Sequence, residues 1–379
     1  MKMKKIQMVD LKSQYEKIKT TVDASIQEVL DTNTYINGPL VHQFQKNLED
    51  YLGAKHVIPC ANGTDALQIA MMGLDLKPGD EVITADFTFA ATVEVIALLQ
   101  LTPVLVDVDI RNMNIDIDAI KKAITPKTKA IVPVHLFGRA ANMDAIMEIA
   151  AEHNLYVIED NAQAIGADYV SKSGTKSKVG VIGHVAATSF FPSKNLGCYG
   201  DGGAIFTNDD KLAHIIRGIV NHGMYERYHH DVVGVNSRLD SIQAGVLNAK
   251  LPLLDEYNAA RRLAASKYNA AFEGNAHIIT PEFDANENDH VFHQYVLRII
   301  DADRNALLQH LQDKQIPCAI YYPIPLHSQK AYVDSRYKEE QFPVTNQLVK
   351  EVIALPMHTE LDDEQIKFIT DSVLEFLNK

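Results

Sequence analysis

The run Ser189-Phe190-Phe191-Pro192-Ser193-Lys194 ends an apolar stretch on a hydroxyl, a proline and a single lysine, and glycine-rich Gly200-Asp201-Gly202-Gly203 follows. Lysine seldom lies beside a core unless something holds it or uses it. An amine kept in such a place can shed its proton and attack a carbonyl carbon; a solvated surface lysine is the plainer alternative. Upstream, Leu155-Tyr156-Val157-Ile158-Glu159-Asp160-Asn161-Ala162-Gln163 reads as a buried strand with a carboxylate, Asp160, and an amide, Gln163, at its carboxyl end. Open α/β sheets place ligands at that edge. Glu159 points to the opposite face from Asp160, so the two are not a paired acid and base. Further upstream, Val57-Ile58-Pro59-Cys60-Ala61-Asn62-Gly63-Thr64-Asp65-Ala66 reads as a strand, a tight turn and a helix starting near Thr64. Free N–H groups at a helix start, a hydroxyl and a glycine suit a phosphate.

A phosphate seat, a carboxylate and a lysine are what pyridoxal phosphate requires: a Schiff-base lysine, an acid facing the pyridinium nitrogen and an anchor for the phosphate. Other chemistries lack their residues. No Gly-x-Gly-x-x-Gly follows a strand, so the nicotinamide fingerprint is missing. Cys60, Cys198 and Cys318 are scattered and form no disulfide or zinc pattern, which suits free thiols in a reducing compartment. His229-His230 stands without further ligands at useful spacing, so no metal is expected.

The 36 basic and 49 acidic residues leave a net charge of −13, against a nucleic-acid binder. The basic start Met1-Lys2-Met3-Lys4-Lys5 has no apolar stretch behind it, and no run approaches the ~20 residues of a membrane helix. The expected location is the cytoplasm.

The elements that position these groups follow from periodicity. Strands are expected at Lys55–Cys60, Glu81–Ala85, Pro103–Val108, Lys129–Val134, Tyr156–Glu159, Ala186–Phe190 and Gly203–Thr207. Helices are expected between them at Thr64–Leu74, Ala91–Gln100, Asp116–Ile124 and Asn142–Asn154, and again at Lys211–Asn221. Alternation of this kind implies an α/β fold with a mostly parallel seven-stranded sheet covered on both faces. Two helical segments flank Asn37-Gly38-Pro39, and the helical pattern from Leu239 to Glu273 should break at Pro252. The domain boundary is placed there: a large cofactor-binding domain over 1–252 and a smaller α+β domain over 253–379, with strands near Phe292–Arg298 and Ala319–Tyr322.

Taken in order, Asn62-Gly63-Thr64-Asp65-Ala66-Leu67, Asp86-Phe87-Thr88-Phe89, His135-Leu136-Phe137-Gly138, Glu159-Asp160-Asn161-Ala162-Gln163-Ala164, the Lys194 segment, Asn236-Ser237-Arg238-Leu239-Asp240 and Tyr322-Pro323-Ile324-Pro325-Leu326-His327 resemble the DegT/DnrJ/StrS sugar-nucleotide aminotransferases over nearly the whole chain. These are pyridoxal-phosphate enzymes of the aspartate aminotransferase fold, fold type I. The resemblance implies that Lys194 carries the cofactor, Asp160 holds its ring nitrogen protonated and Gln163 approaches its phenolic oxygen. It implies Gly63, Thr64 and Ser189 on the phosphate and Phe89 stacked on the ring, although Phe87, two residues away, is an alternative. It implies that Asn236 reaches the phosphate from a second subunit, so the working unit would be a homodimer.

The expected reaction is a two-stage transfer of an amino group from L-glutamate to a nucleotide-linked keto sugar, for cell-surface polysaccharide synthesis. The tract after Asn236 is similar to that of members acting at carbon 3, in particular those making UDP-2-acetamido-3-amino-glucuronate; a dTDP-linked 3-keto-6-deoxyhexose or a 4-keto sugar is the alternative. Arg238 would then meet the sugar carboxylate, unless it pairs with Asp240, and Tyr321, His327 and Lys330 would touch sugar or nucleotide. Related dehydratases carry histidine in place of the lysine, and a regulator would not need Asp160, Gln163 and Lys194 together.

Overall fold

Strands buried on both faces are written as near-continuous apolar runs. Five such runs end within reach of one another here. The computed structural model describes residues 4–283 and 288–378; Met1, Lys2 and Met3 of the basic N-terminal run lie outside the described residues. In spatial order the central sheet runs His56–Cys60, Gly203–Thr207, Val185–Ser189, Tyr156–Asp160, Thr128–Val132, Glu81–Ala85 and Thr102–Val106. Gly203–Thr207 is antiparallel to both neighbours, and the remaining pairs are parallel. The seven expected strands are thus the seven observed, with ends shifted by a residue or two. Because the parallel strands share a direction, the turns after Cys60, Ala85, Val132, Asp160 and Ser189 all open on one edge. That edge collects every motif read above from residue 60 to 203.

The helical pattern around Pro252 breaks as expected. Ser241–Lys250 and Leu254–Phe272 are separate helices joined by the 3-10 turn Leu251–Leu253. The N-terminal helices Leu11–Thr32 and Pro39–Leu52 both pack on Ser241–Lys250.

Beyond residue 272, Ile278–Ile279, Tyr295–Ile299 and Val352–Leu355 form a three-stranded antiparallel sheet. The strand expected at Ala319–Tyr322 is not formed. Ala319 exchanges both backbone hydrogen bonds with Ala354 as an isolated bridge. Pro323 and Pro325 then supply no N–H to continue a ladder, and the chain turns toward the sheet edge instead. The true partner, Val352–Leu355, is four residues long and has no alternation to reveal it. Ile6 packs in this C-terminal core with Tyr268, Phe292 and Leu355, so the chain's start is tied to its end.

Phe44 and Phe190 are both fully buried, with ring centres 5.3 Å apart at 79°. Phe190 leads directly into the Lys194 loop, so this contact supports the site from below. Phe44→Ala should cost about 3–5 kcal/mol, read as a lower urea midpoint at unchanged slope. An unchanged midpoint would place this contact outside the folded core.

Candidate active site

Asp160 ends its strand, and its backbone is clamped on both sides. Its N–H donates to the Pro133 carbonyl and its carbonyl accepts from the His135 N–H. Its side chain is buried; Oδ2 accepts from the Thr92 hydroxyl at 2.8 Å and Oδ1 from the Ala162 N–H at 3.2 Å. Burial pushes the Asp160 carboxyl above its usual pKa, against the pull of Thr92, Ala162 and the Lys194 charge.

Glu159, on the opposite face, has a structural task. It accepts from the N–H groups of Gly180 at 2.7 Å, Ile182 at 2.8 Å and Gly183 at 2.5 Å, and its Oε2 lies 2.9 Å from His135 Nε2. His135 Nδ1 accepts from the Ala141 N–H at 3.1 Å, which leaves the ring proton on Nε2, facing Glu159. Burial opposes the Glu159 charge, yet His135 and the backbone donors outweigh it and draw the pKa down.

Lys194 is half-buried. Burial pulls its amine down to about 8, and the nearby Asp160 carboxylate pulls the other way. His293, buried nearby, is driven well below its usual pKa by burial and by the Lys194 and Arg261 charges, so it stays neutral.

The helix Gly63–Gly73 starts at the same edge. Asn62 Oδ1 accepts from the Asp65 N–H at 2.8 Å and its carbonyl from the Ala66 N–H. The first-turn N–H groups of Gly63 and Thr64 have no acceptor within the helix. A Cβ on Gly63 would fall 2.7 Å from Ser189 Cβ, so only glycine lets the helix start lie against that hydroxyl. Ser189 Oγ accepts from the Phe191 N–H at 3.3 Å and keeps its own proton to donate.

Gln163 is buried. Its Oε1 accepts from the Phe137 N–H at 2.6 Å and its Nε2 donates to the Tyr322 hydroxyl at 3.1 Å. The second Nε2 proton remains for a ligand. Phe87 is fully buried, edge-on to Phe137 and Tyr322. Phe89 is 57% exposed and tilted against Tyr322. Of the two rings weighed for stacking, Phe87 therefore belongs to the core and Phe89 is the one open to a ligand.

The expected substrate residues divide. Asn236 and Arg238 line a cleft with Ala61, Gly200, Asp201 and Gln243, and Arg238 Nη2 donates to Asn236 Oδ1 at 2.5 Å. The alternative Arg238–Asp240 ion pair is not formed. Lys330 is exposed after the 3-10 turn Leu326–Ser328. Tyr321 is half-buried and packs on the sheet core. His327, expected at the sugar or nucleotide, is held within the C-terminal segment. It is buried face to face on Phe342, with ring centres 4.4 Å apart. Its backbone N–H and Nδ1 each lie 2.7 Å from an oxygen of buried Asp86. Asp86 and His135 stood inside motifs read above without a role, and Thr92 lay within the helix expected at Ala91–Gln100. A polar side chain amid apolar neighbours was the available signal.

The donor set suits pyridoxal phosphate. Asp160, buried and disfavoured as an isolated ion, would be stabilised by a protonated ring nitrogen. The orphan N–H groups of Gly63 and Thr64 with the Ser189 hydroxyl would take the phosphate, and the Lys194 amine, within electrostatic reach of Asp160, would hold the aldehyde carbon. Among the described residues no group of three metal ligands occurs, and no helix is long and apolar enough to cross a membrane.

Comparison with known proteins agrees with this geometry. The model of the DegT/DnrJ/EryC1/StrS aminotransferase family matches residues 16–374. The chain is 48% identical, over 96% of its length and 98% of the relative's, to the UDP-2-acetamido-2-deoxy-3-oxo-D-glucuronate aminotransferase of Pseudomonas aeruginosa. It is 44% identical, over 98% of both chains, to a protein of Geobacillus stearothermophilus named pleiotropic regulatory protein. A crystal structure of NtdA from Bacillus subtilis with the cofactor PMP bound superposes with a TM-score of 0.92 at 29% identity, covering 100% of this chain and 86% of that one.

In cofactor-free protein, Lys194 should be trapped by a small aldehyde and borohydride with a pH midpoint near 8. The neutral fraction rises with pH, so trapping increases through that midpoint. Asp160→Asn removes the charge that keeps the proton on, and the midpoint should move lower still. A midpoint at the ordinary lysine value of about 10.4 would contradict the desolvated placement.

Proposed function

Because the chain belongs to the DegT/DnrJ/EryC1/StrS aminotransferase family, pyridoxal-phosphate enzymes, we propose that it moves an amino group from L-glutamate to UDP-2-acetamido-2-deoxy-3-oxo-glucuronate. The observation that carries this reading is the gathering, on one sheet edge, of the buried Asp160 carboxylate, the Gly63 helix start against Ser189 and the loop that carries Lys194. The choice of sugar is supported by the 48% identity to the Pseudomonas enzyme. The relative named as a regulator does not favour a binding-only role here, since Asp160, Gln163 and Lys194 are all present.

Bound pyridoxal phosphate supplies an electrophilic carbon and an electron sink that no side chain offers. The chain's residues do the rest. Lys194 Nζ is the attachment point and, once released as a neutral amine, takes the proton from the α-carbon of the amino donor and returns it as a general acid. Asp160, clamped by Pro133, His135 and Thr92, holds a proton on the ring nitrogen by its charge. Gly63, Thr64 and Ser189 bind the phosphate, Gln163 offers its free Nε2 proton to the phenolic oxygen, and Phe89 covers the ring. Asn236 of a second copy completes the phosphate seat, which makes the active unit a homodimer. Arg238 meets the sugar carboxylate with a fork that matches two oxygens, and Tyr321 and Lys330 would touch sugar or nucleotide. The setting is cytoplasmic synthesis of a surface polysaccharide such as an O-antigen. The large and small domains meet at Pro252.

Purified protein with pyridoxal phosphate should show a visible band that bleaches with glutamate, and Lys194→Ala should abolish both the band and turnover. Full activity in that variant would end the assignment. In a panel of keto-sugar nucleotides, glutamate-dependent amination should be fastest for the 3-oxo-glucuronate; a faster dTDP-linked 3-keto-6-deoxyhexose or 4-keto sugar would replace it. Arg238→Ala should cost the glucuronate about 10–100-fold in kcat/KM, the range for a lost charge-assisted hydrogen bond, and leave a 6-deoxy substrate little changed. Equal loss for both substrates would remove the carboxylate role.

A further inference from the structure

A second lysine, this one fully buried, holds the loop that carries Lys194. Lys250 is 1% exposed. Its Nζ donates to the Gly197 carbonyl at 2.7 Å and lies 4.4 Å from the centre of the Tyr199 ring. No carboxylate pairs with it among the described residues. Burial draws its amine to about 8, so the fold keeps this group at a cost in desolvation. Two turns earlier on the same helix, Ser241–Lys250, Gln243 Oε1 accepts from the Tyr199 N–H at 2.8 Å. Residues seven apart share a helix face, so one face grips alternate residues of the loop that leaves Lys194.

The loop itself has little room to adjust. A Cβ on Gly197 would fall 2.3 Å from the Pro192 carbonyl oxygen. Cys198 Sγ lies 3.1 Å from both the Phe190 and Gly200 carbonyl oxygens. On its far side the gripping helix is held by Leu11–Thr32 and Pro39–Leu52. At its start, Gln243 opens on the cleft of Asn236 and Arg238. The helix therefore joins the cleft wall to the loop that carries the reactive amine.

We propose that Lys250 and Gln243 are positioning residues for Lys194: the Lys250 ammonium pins the Gly197 carbonyl, Gln243 pins the Tyr199 amide, and the loop so fixed presents Lys194 Nζ to Asp160. This rests on the reading of Lys194 as the cofactor's attachment point.

The test uses full-length Lys250→Met, which keeps the length and drops the charge, with Lys250→Arg and Gln243→Ala beside it. Three quantities are measured: hydrogen exchange of amides 195–200 in cofactor-free protein, pyridoxal phosphate affinity by titration, and the pH midpoint of Lys194 trapping by aldehyde and borohydride. Lys250→Met should speed exchange of those amides and weaken cofactor binding, each about tenfold. The trapping midpoint should rise from near 8 toward the ordinary lysine value as the amine is released to water. Exchange in the C-terminal three-stranded sheet should stay as in the wild type. Lys250→Arg, which keeps a charged donor, should restore part of each change. Should Lys250→Met not fold, Gln243→Ala must show the same directions at smaller size. Wild-type values in the variants, or faster exchange spread evenly over the whole chain, would overturn the proposal. If wild-type protein is not trapped at Lys194 at all, the attachment assignment fails instead, while the exchange data still judge the grip.

Discussion

An amine and a carboxylate are brought to the same desolvated sheet edge, and neither is comfortable there alone. Asp160 is raised by burial and Lys194 is lowered by it, so each group's partial charge depends on the other. In water two such groups would gain little from each other; away from it the same separation counts several-fold more. The fold's task is to keep that edge dry without letting the pair collapse into an ordinary ion pair, which would leave the lysine protonated and inert. No direct hydrogen bond joins them, and the Asp160 oxygens are taken by Thr92 and Ala162 instead. This arrangement leaves the amine both near the acid and free to act.

The support beneath Asp160 is polar rather than apolar. Glu159 is fully buried and ionised, and three backbone N–H groups and His135 converge on it. That network ties the segment 180–183 to the strand, and His135 continues it through its own backbone to the Asp160 carbonyl. One strand thus carries two adjacent acids with opposite treatment: Glu159 is surrounded by donors and held charged, and Asp160 is left with few donors and a raised pKa. Sequence adjacency and strand alternation separate them by one sheet face.

Much of this was legible in the sequence because the chemistry is concentrated at strand ends. The seven strands of the central sheet, the break at Pro252 and the convergence of Asn62–Thr64, Asp160–Gln163 and Ser189–Lys194 follow from apolar runs punctuated by Gly, Pro and polar residues. Phe87 and Phe89 were ambiguous because residues two apart share a face on a strand, and only the bend after the strand ends at Ala85 sends Phe87 inward and leaves Phe89 exposed. The segment 319–327 was misread because Ala-Ile-Tyr-Tyr has strand composition, while the following prolines and the Asp86 carboxylate decide its path. His327 is the clearest case of long-range control. Its partner lies 241 positions away, and no local pattern announces a buried imidazole–carboxylate contact. Gln163 with Tyr322 is similar in kind, joining residues 159 apart across the site.

The Asp86–His327 and Gln163–Tyr322 contacts also explain how a chain of net charge −13 can present an anion-binding edge. A global acidic field repels phosphates and carboxylates, so attraction has to be local and built from oriented donors. The strand-end turns provide backbone N–H groups at Gly63 and Thr64, and contacts to Asp86 and Gln163 draw the C-terminal segment in toward the sheet edge. Asp86 and Glu159 are covered by their own partners, so two of the acids nearest the site do not project charge into it. Asp201 and Asp240 remain near the cleft that Arg238 enters. Arg238 is held there by the neutral Asn236 amide rather than by either acid, and its full charge stays available to a ligand. On the proposed reading, selectivity for an acidic sugar rests on that choice of partner, an amide in place of a carboxylate, more than on the total charge of the protein.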